Sequence, residues 1–229
     1  MATHAASIAV YVEVGQKVTI AGALAWPGWC RRGRDEAAAL AALVDYGPRY
    51  AEIFSRTPLA FTPPGDPGAF AVAERLKGTG TTDFGVPAVA PTRDAEPFGE
   101  DERARSAAIL WAIWQAFDAA VDAAAGQELR RGPRGGGRDR DHIVRHVLGA
   151  DAGYLRSLGQ SFRQNDAAPL SDELERTRAA IHAALVAGVR GDLPERGPRG
   201  GRRWAPRYYV RRVAWHALDH AWEIEDRMR

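Results

Sequence analysis

Beyond residue 100 the chain repeats its apolar side chains every three or four positions, the spacing that lines them along one stripe of a helix. Residues 103–125 carry Ile109, Leu110, Ile113, Trp114, Phe117 and Val121 in this pattern. Residues 139–158 carry Ile143, Val147, Tyr154, Leu155 and Leu158. A third such segment opens at Ser171 and runs to about Val189, and a fourth opens at Pro206 or Arg207 and runs to the end. Helices with one apolar stripe must bury it against one another. Four of them joined by modest loops predict a four-helix bundle over residues 96–229. Trp111, Trp114 and Phe117 are expected in its core.

The first 95 residues have a different texture. Residues 7–14 and 17–24 are rich in Ile, Val and Tyr and partly alternate, with Gly15-Gln16 as a two-residue hairpin turn between them. Asp35 is an N-cap for a helix over residues 36–54, with Pro48 as a kink or stop near its end. Residues 70–76 predict a third strand. Residues 78–98, dense in Gly, Thr, Pro and Asp, predict a connecting loop. The fold class is therefore α+β, a small β-β-α-β unit followed by the bundle.

Composition excludes several functions. With 31 basic and 29 acidic residues the net charge is +2, which argues against nucleic acid as a partner. Cys30 is the only cysteine, so disulfides within the chain and Cys-rich zinc sites are excluded. No apolar run approaches the ~18 residues of a membrane span. Residues 1–10 lack the basic start and apolar core of a signal peptide, so a cytoplasmic protein is expected.

Four of the six histidines fall into two pairs, His142/His146 and His216/His220, each spaced i,i+4. Two histidines at that spacing share a helix face and can reach one ion. Four histidines would form a closed, structural cage, whereas three leave a position for water or substrate. His146 neighbours Ile143 and Val147 on the inward face, while His142 sits in the first turn beside Asp141. The favoured ligands are thus His146, His216 and His220, with His142 as a candidate fourth. Glu223, three residues after His220, is a candidate to orient a ligand or to act as a base.

Asp141-His-Ile-Val-Arg-His146-Val-Leu, followed by His216-x-x-x-His220, resembles the DinB-like (DinB/YfiT-like) metalloenzyme superfamily of four-helix bundles. The resemblance covers about residues 100–229. It implies a divalent metal held by His146 and the late pair, zinc first, with nickel, iron or manganese as alternatives. Family members often carry Gln where this chain has Glu223, which leaves the substrate class open. The family includes thiol S-transferases and a mycothiol-dependent isomerase. The implied function is activation of a mycothiol-like thiol, or of water, for transfer or hydrolysis on a small-molecule substrate. A homodimer is common among such bundles. The alternative is a non-enzymatic binding or regulatory protein in which any metal is structural.

Two further features stand apart. Arg131-Gly-Pro-Arg-Gly-Gly136 returns as Arg196-Gly-Pro-Arg-Gly-Gly201, each copy just ahead of a His-bearing helix. These loops read first as plain linkers, the alternative being that they gather an anionic substrate or nucleic-acid phosphate at one bundle end. The segment from Gly22 through Trp26-Pro-Gly28-Trp-Cys30 to Leu40 resembles the N-terminal fold of HicB-like antitoxins. That resemblance implies the β-β-α-β unit. Cys30 is either a buried packing residue or a reactive thiol near Arg31 and Arg32.

Overall fold

The computed structural model describes residues 7–131, 137–197 and 200–228. The chain divides into two compact units, Met1–Glu96 and Pro97–Arg229. It is mixed α and β, with a small four-stranded sheet in the first unit and long helices in the second. No described helix is long and apolar enough to cross a membrane.

In the first unit, β1 (Ile8–Val14), β2 (Thr19–Ala23), β3 (Cys30–Gly33) and β4 (Phe70–Lys77) form a sheet in the order β3-β2-β1-β4. β1 runs antiparallel to β2, in register Val10↔Ala23 to Val14↔Thr19, and parallel to β4. The parallel pair slips by one residue between Val10 and Tyr11. Every residue of the inner strand β2 is buried, whereas the edge strand β4 alternates half-buried and exposed positions. Helix α1 (Glu36–Asp45) is capped by Asp35, whose side chain accepts from the Ala38 N–H at 2.8 Å. It packs on β2 and β3. Trp29 and Tyr50 stack with centroids 5.8 Å apart, and Phe61 meets both edge-on. Buried aromatic pairs of this kind each add about 0.5–1.5 kcal/mol beyond their area.

The unit departs from the expected β-β-α-β in three ways. The helix expected over residues 36–54 breaks at Tyr46, and α2 (Gly47–Ile53) starts anew with Pro48 in its first turn. Pro48 has no N–H to give α1 and suits the first turn of a new helix. Residues 30–33 form the additional strand β3, antiparallel to β2. Its Cys-Arg-Arg-Gly sequence carries almost no β signal, so the pairing comes from tertiary context. The hairpin loop also spans residues 15–18, not two residues, because Asp83 accepts from the Lys17 and Val18 N–H groups. The stretch expected to be a plain connector is tied to the sheet. It contains a short helix, α3 (Gly80–Asp83), with a capping box between Thr79 and Thr82. The buried Glu13 carboxylate accepts from Thr82 Oγ1 and from the Ala88 and Val89 N–H groups.

The second unit holds α4 (Glu100–Ala123), α5 (Arg140–Ser157), α6 (Leu170–Arg190) and α7 (Pro206–Met228). α4 packs against α6 and α7, and α5 packs against the same two. The helix ends follow local rules. Asp139 caps α5 by accepting from the His142 N–H, Gly191 ends α6 at φ 77°, and Pro206 opens α7. Phe117 and Ala120 of α4, Ile143, Val144 and Val147 of α5, and Ala221 and Ile224 of α7 form one buried cluster. Each large side chain buried there contributes about 1.5–3 kcal/mol of transfer free energy. Trp114 and Phe117 are buried as expected, but Trp111 is 50% exposed, one position off the inward stripe. Arg178 of α6 grips Asp118 of α4 with two hydrogen bonds of 2.6 and 2.7 Å. Of the two Arg/Gly repeats, residues 132–136 and 198–199 lie outside the described residues.

Candidate metal centre

His146 lies on α5, and His216 and His220 lie one turn apart on α7. Packing of α5 against α7 brings the three imidazoles together. His216 Nε2 is 3.3 Å from His146 Nε2 and 3.2 Å from His220 Nε2. The three candidate ligand atoms all lie within 4.8 Å of one another. His216 and His220 are buried and His146 is half-buried. Nitrogens placed tetrahedrally at a Zn–N distance of about 2.0–2.1 Å stand about 3.4 Å apart. The observed spacing fits such an ion.

The protonation pattern fits as well. His220 Nδ1 is 2.7 Å from Glu223 Oε2, and a carboxylate only accepts, so Nδ1 carries a proton and Nε2 is the nitrogen left to face the cluster. Burial, then the neighbouring His220 and Arg138, lowers the His146 pKa. Burial, then His220 and His146, holds His216 well below its ordinary value. Both rings are thus neutral at neutral pH, as ligands must be. One N–H on His216 Nε2 could not point at both neighbouring nitrogens. Hydrogen bonding alone therefore leaves one of the two contacts unfavourable, whereas a shared cation satisfies both.

The surroundings hold the His220 ring in place, whereas His216 Nδ1 is buried without a partner among the described residues. Glu223 Oε1 accepts from Arg227 Nη1 at 2.9 Å, and Arg227 Nε donates to the Arg130 carbonyl at 2.7 Å. The His220 hydrogen bond, with help from Arg227, lowers the Glu223 pKa, so this residue is a carboxylate with both oxygens engaged. On the other side the Tyr154 ring meets His216 edge-on at 5.9 Å, and Tyr154 Oη accepts from Arg212 Nη2 at 3.1 Å. Arg212 is buried, and Nη1 donates to Tyr208 Oη.

Three of the four paired histidines come together. His142 does not: its side chain is 71% exposed, and its Nδ1 sits 2.8 Å from Asp139 Oδ2 at the start of α5. Glu223 stands behind His220, within hydrogen-bond distance of its Nδ1. Cys30 is buried in the sheet, its Sγ 3.7 Å from Tyr11 Oη. Sequence reasoning did not mark Arg212 or Tyr154 as neighbours of the centre. Both carried a signal, since Arg212 lies one turn before His216 and Tyr154 two turns after His146 on the same faces. No protein-family model matches the chain, and no curated protein or solved structure is significantly similar to it.

Proposed function

We propose that the chain is a divalent-metal-dependent enzyme of the DinB-like type, a four-helix bundle whose His146, His216 and His220 hold the metal. The observation that supports this most is the convergence of three imidazole rings, with His216 Nε2 3.3 Å from His146 Nε2 and 3.2 Å from His220 Nε2. Three nitrogen donors suit zinc first, with nickel, iron and manganese as alternatives. Three ligands among the described residues leave a position for an exchangeable group, as catalytic sites do. Bound there, a divalent ion would lower the pKa of a mycothiol-like thiol or of water for transfer to, or hydrolysis of, a small molecule. The protein's own part is to fix the ligands. Glu223 holds the proton on His220 Nδ1 and aims Nε2 inward. Burial keeps His146 and His216 unprotonated. Tyr154 walls the site beside His216, and the nearby Arg212 charge further disfavours protonation of that ring.

The test is turnover of a low-molecular-weight thiol with an electrophilic acceptor, run beside ester hydrolysis, on zinc-loaded protein and on His146→Ala. Activity that depends on zinc and disappears in His146→Ala supports the proposal. A tightly bound metal with no exchangeable position and no turnover would instead favour a non-enzymatic protein with a structural metal.

A further inference from the structure

A cavity of about 320 Å3 opens between the C-terminal end of α5 and the segment that leads into α7. That volume lies within the roughly 300–1,000 Å3 range of small-molecule pockets. Its walls include Arg156, Ser157, Gly197, Gly201, Arg202 and Trp204. Among the described residues, the only charges in the lining are the two arginines, and no acidic residue faces it. Neither guanidinium has a carboxylate partner among the described residues, although the chain carries 29 Asp and Glu and pairs many of its other arginines. Trp204 is held in place by its backbone N–H, which donates to the Ser157 carbonyl at 2.8 Å, and by packing against Tyr154 and Tyr208.

A second observation stands behind this wall. Arg212 is 8% exposed, with its guanidinium 5.4 Å from the Trp204 ring centre. Its hydrogen bonds go to two neutral phenols, and its Nε is buried without a partner. A guanidinium out of water with no anion beside it is costly and is ordinarily paired. Two arginines without a carboxylate thus line the same cavity as Trp204, and a third lies against its indole. What this arrangement lacks is a negative charge.

We propose that the cavity is an anion subsite, taking the carboxylate or phosphate of a small molecule between Arg156 and Arg202 while its apolar body lies against Trp204. Arginine suits this role because its planar donors match both oxyanions. The position gives the subsite its use. Tyr154 touches Trp204 on one side and His216 on the other, with ring centres 5.3 and 5.9 Å away. The Trp204 wall of the subsite is therefore linked to the histidine cluster through the single ring of Tyr154. That use rests on the metal-enzyme reading; the binding itself does not.

The test is calorimetric titration of the full-length protein, zinc-loaded and chelator-stripped, with phenyl phosphate, benzoate and phenol. Phenyl phosphate or benzoate is expected to bind saturably in both preparations, and the stronger of the two identifies the oxyanion. Phenol is expected not to bind. Arg156→Gln and Arg202→Gln should each weaken binding about tenfold, the size of one charge-assisted hydrogen bond, with unchanged melting temperature and zinc content. Affinity should fall with added salt. No saturable binding, or binding unchanged in the double variant, would overturn the subsite. Binding confined to zinc-loaded protein would place the anion on the metal and likewise overturn it. Arginine-dependent binding to a protein that never takes up zinc would leave the subsite standing and remove the metal centre.

Discussion

His220 can present only its Nε2 to an ion, because its Nδ1 is committed to Glu223. Glu223 is in turn held by Arg227, which reaches back to the Arg130 carbonyl. Removing a partner of this kind typically costs 10–100-fold in metal affinity. Glu223→Ala should therefore weaken zinc binding by about 10–100-fold with little change in helix content, and Glu223→Gln, which still accepts from Nδ1, should weaken it less. Competition against a chelating dye reads both. Equal affinity in all three proteins would show that Glu223 does not orient the ligand. A second residue carries a pH signature. Asp151 is buried on α5 with Oδ1 unpartnered, and burial, opposed by Arg178, pushes its carboxyl from 3.8 up to about 8. The folded chain therefore keeps a proton that the unfolded chain gives up above its own pKa. The associated stability is fully present below about pH 4 and is lost as pH rises towards about 8, by up to about 1.4 kcal/mol per unit. Asp151→Asn should abolish this component. Denaturant melts at several pH values should show wild type losing stability relative to the variant across that window. Parallel curves would contradict it.

At the scale of elements, glycine and proline decide where the chain departs from its simplest reading. At Gly33, the last residue of β3, an added methyl would press into the backbone of Ala38 and Ala39 in α1. Backbone cannot swing aside as a long side chain can. Gly33→Ala should cost about 1–3 kcal/mol, read as a lower melting temperature of the N-terminal unit. An unchanged melt would mean that α1 can retreat from β3 at little cost. The same residue helps explain what the sequence hid. A strand made of Cys30, two arginines and Gly33 has no alternation to detect, and its existence depends on β2 lying beside it. The loop after β4 concealed its ties for a similar reason, since Glu13 is a charged residue inside a strand and its partners lie about seventy positions away. The long helices were legible to within a few residues, because their apolar stripes and caps are local signals. His146, His216 and His220 were legible for that reason too. Arg212 was harder to single out, because its one signal, a place one turn before His216, is easily lost in a chain this rich in arginine.

At the scale of the whole chain, the three histidines, Glu223 and the proposed anion subsite all belong to the unit Pro97–Arg229. The sheet unit contributes none of them. A ligand that binds only one unit stabilises that unit by mass action, by about 2.7 kcal/mol when present at a hundred times its dissociation constant. Zinc should therefore raise one melting transition by roughly 5–10 °C and leave the other in place. Differential scanning calorimetry with and without zinc would show the split. A single transition shifting as one would show that the two units unfold together.

The most direct test of the metal centre is elemental analysis of tag-free protein beside His146→Ala and His216→Ala. Close to one divalent ion per chain is expected in the wild type, with a loss of most of it in both variants, which remove histidines from different helices. Protein that stays free of metal after reconstitution with zinc, nickel, iron and manganese, or variants that retain it, would contradict the account.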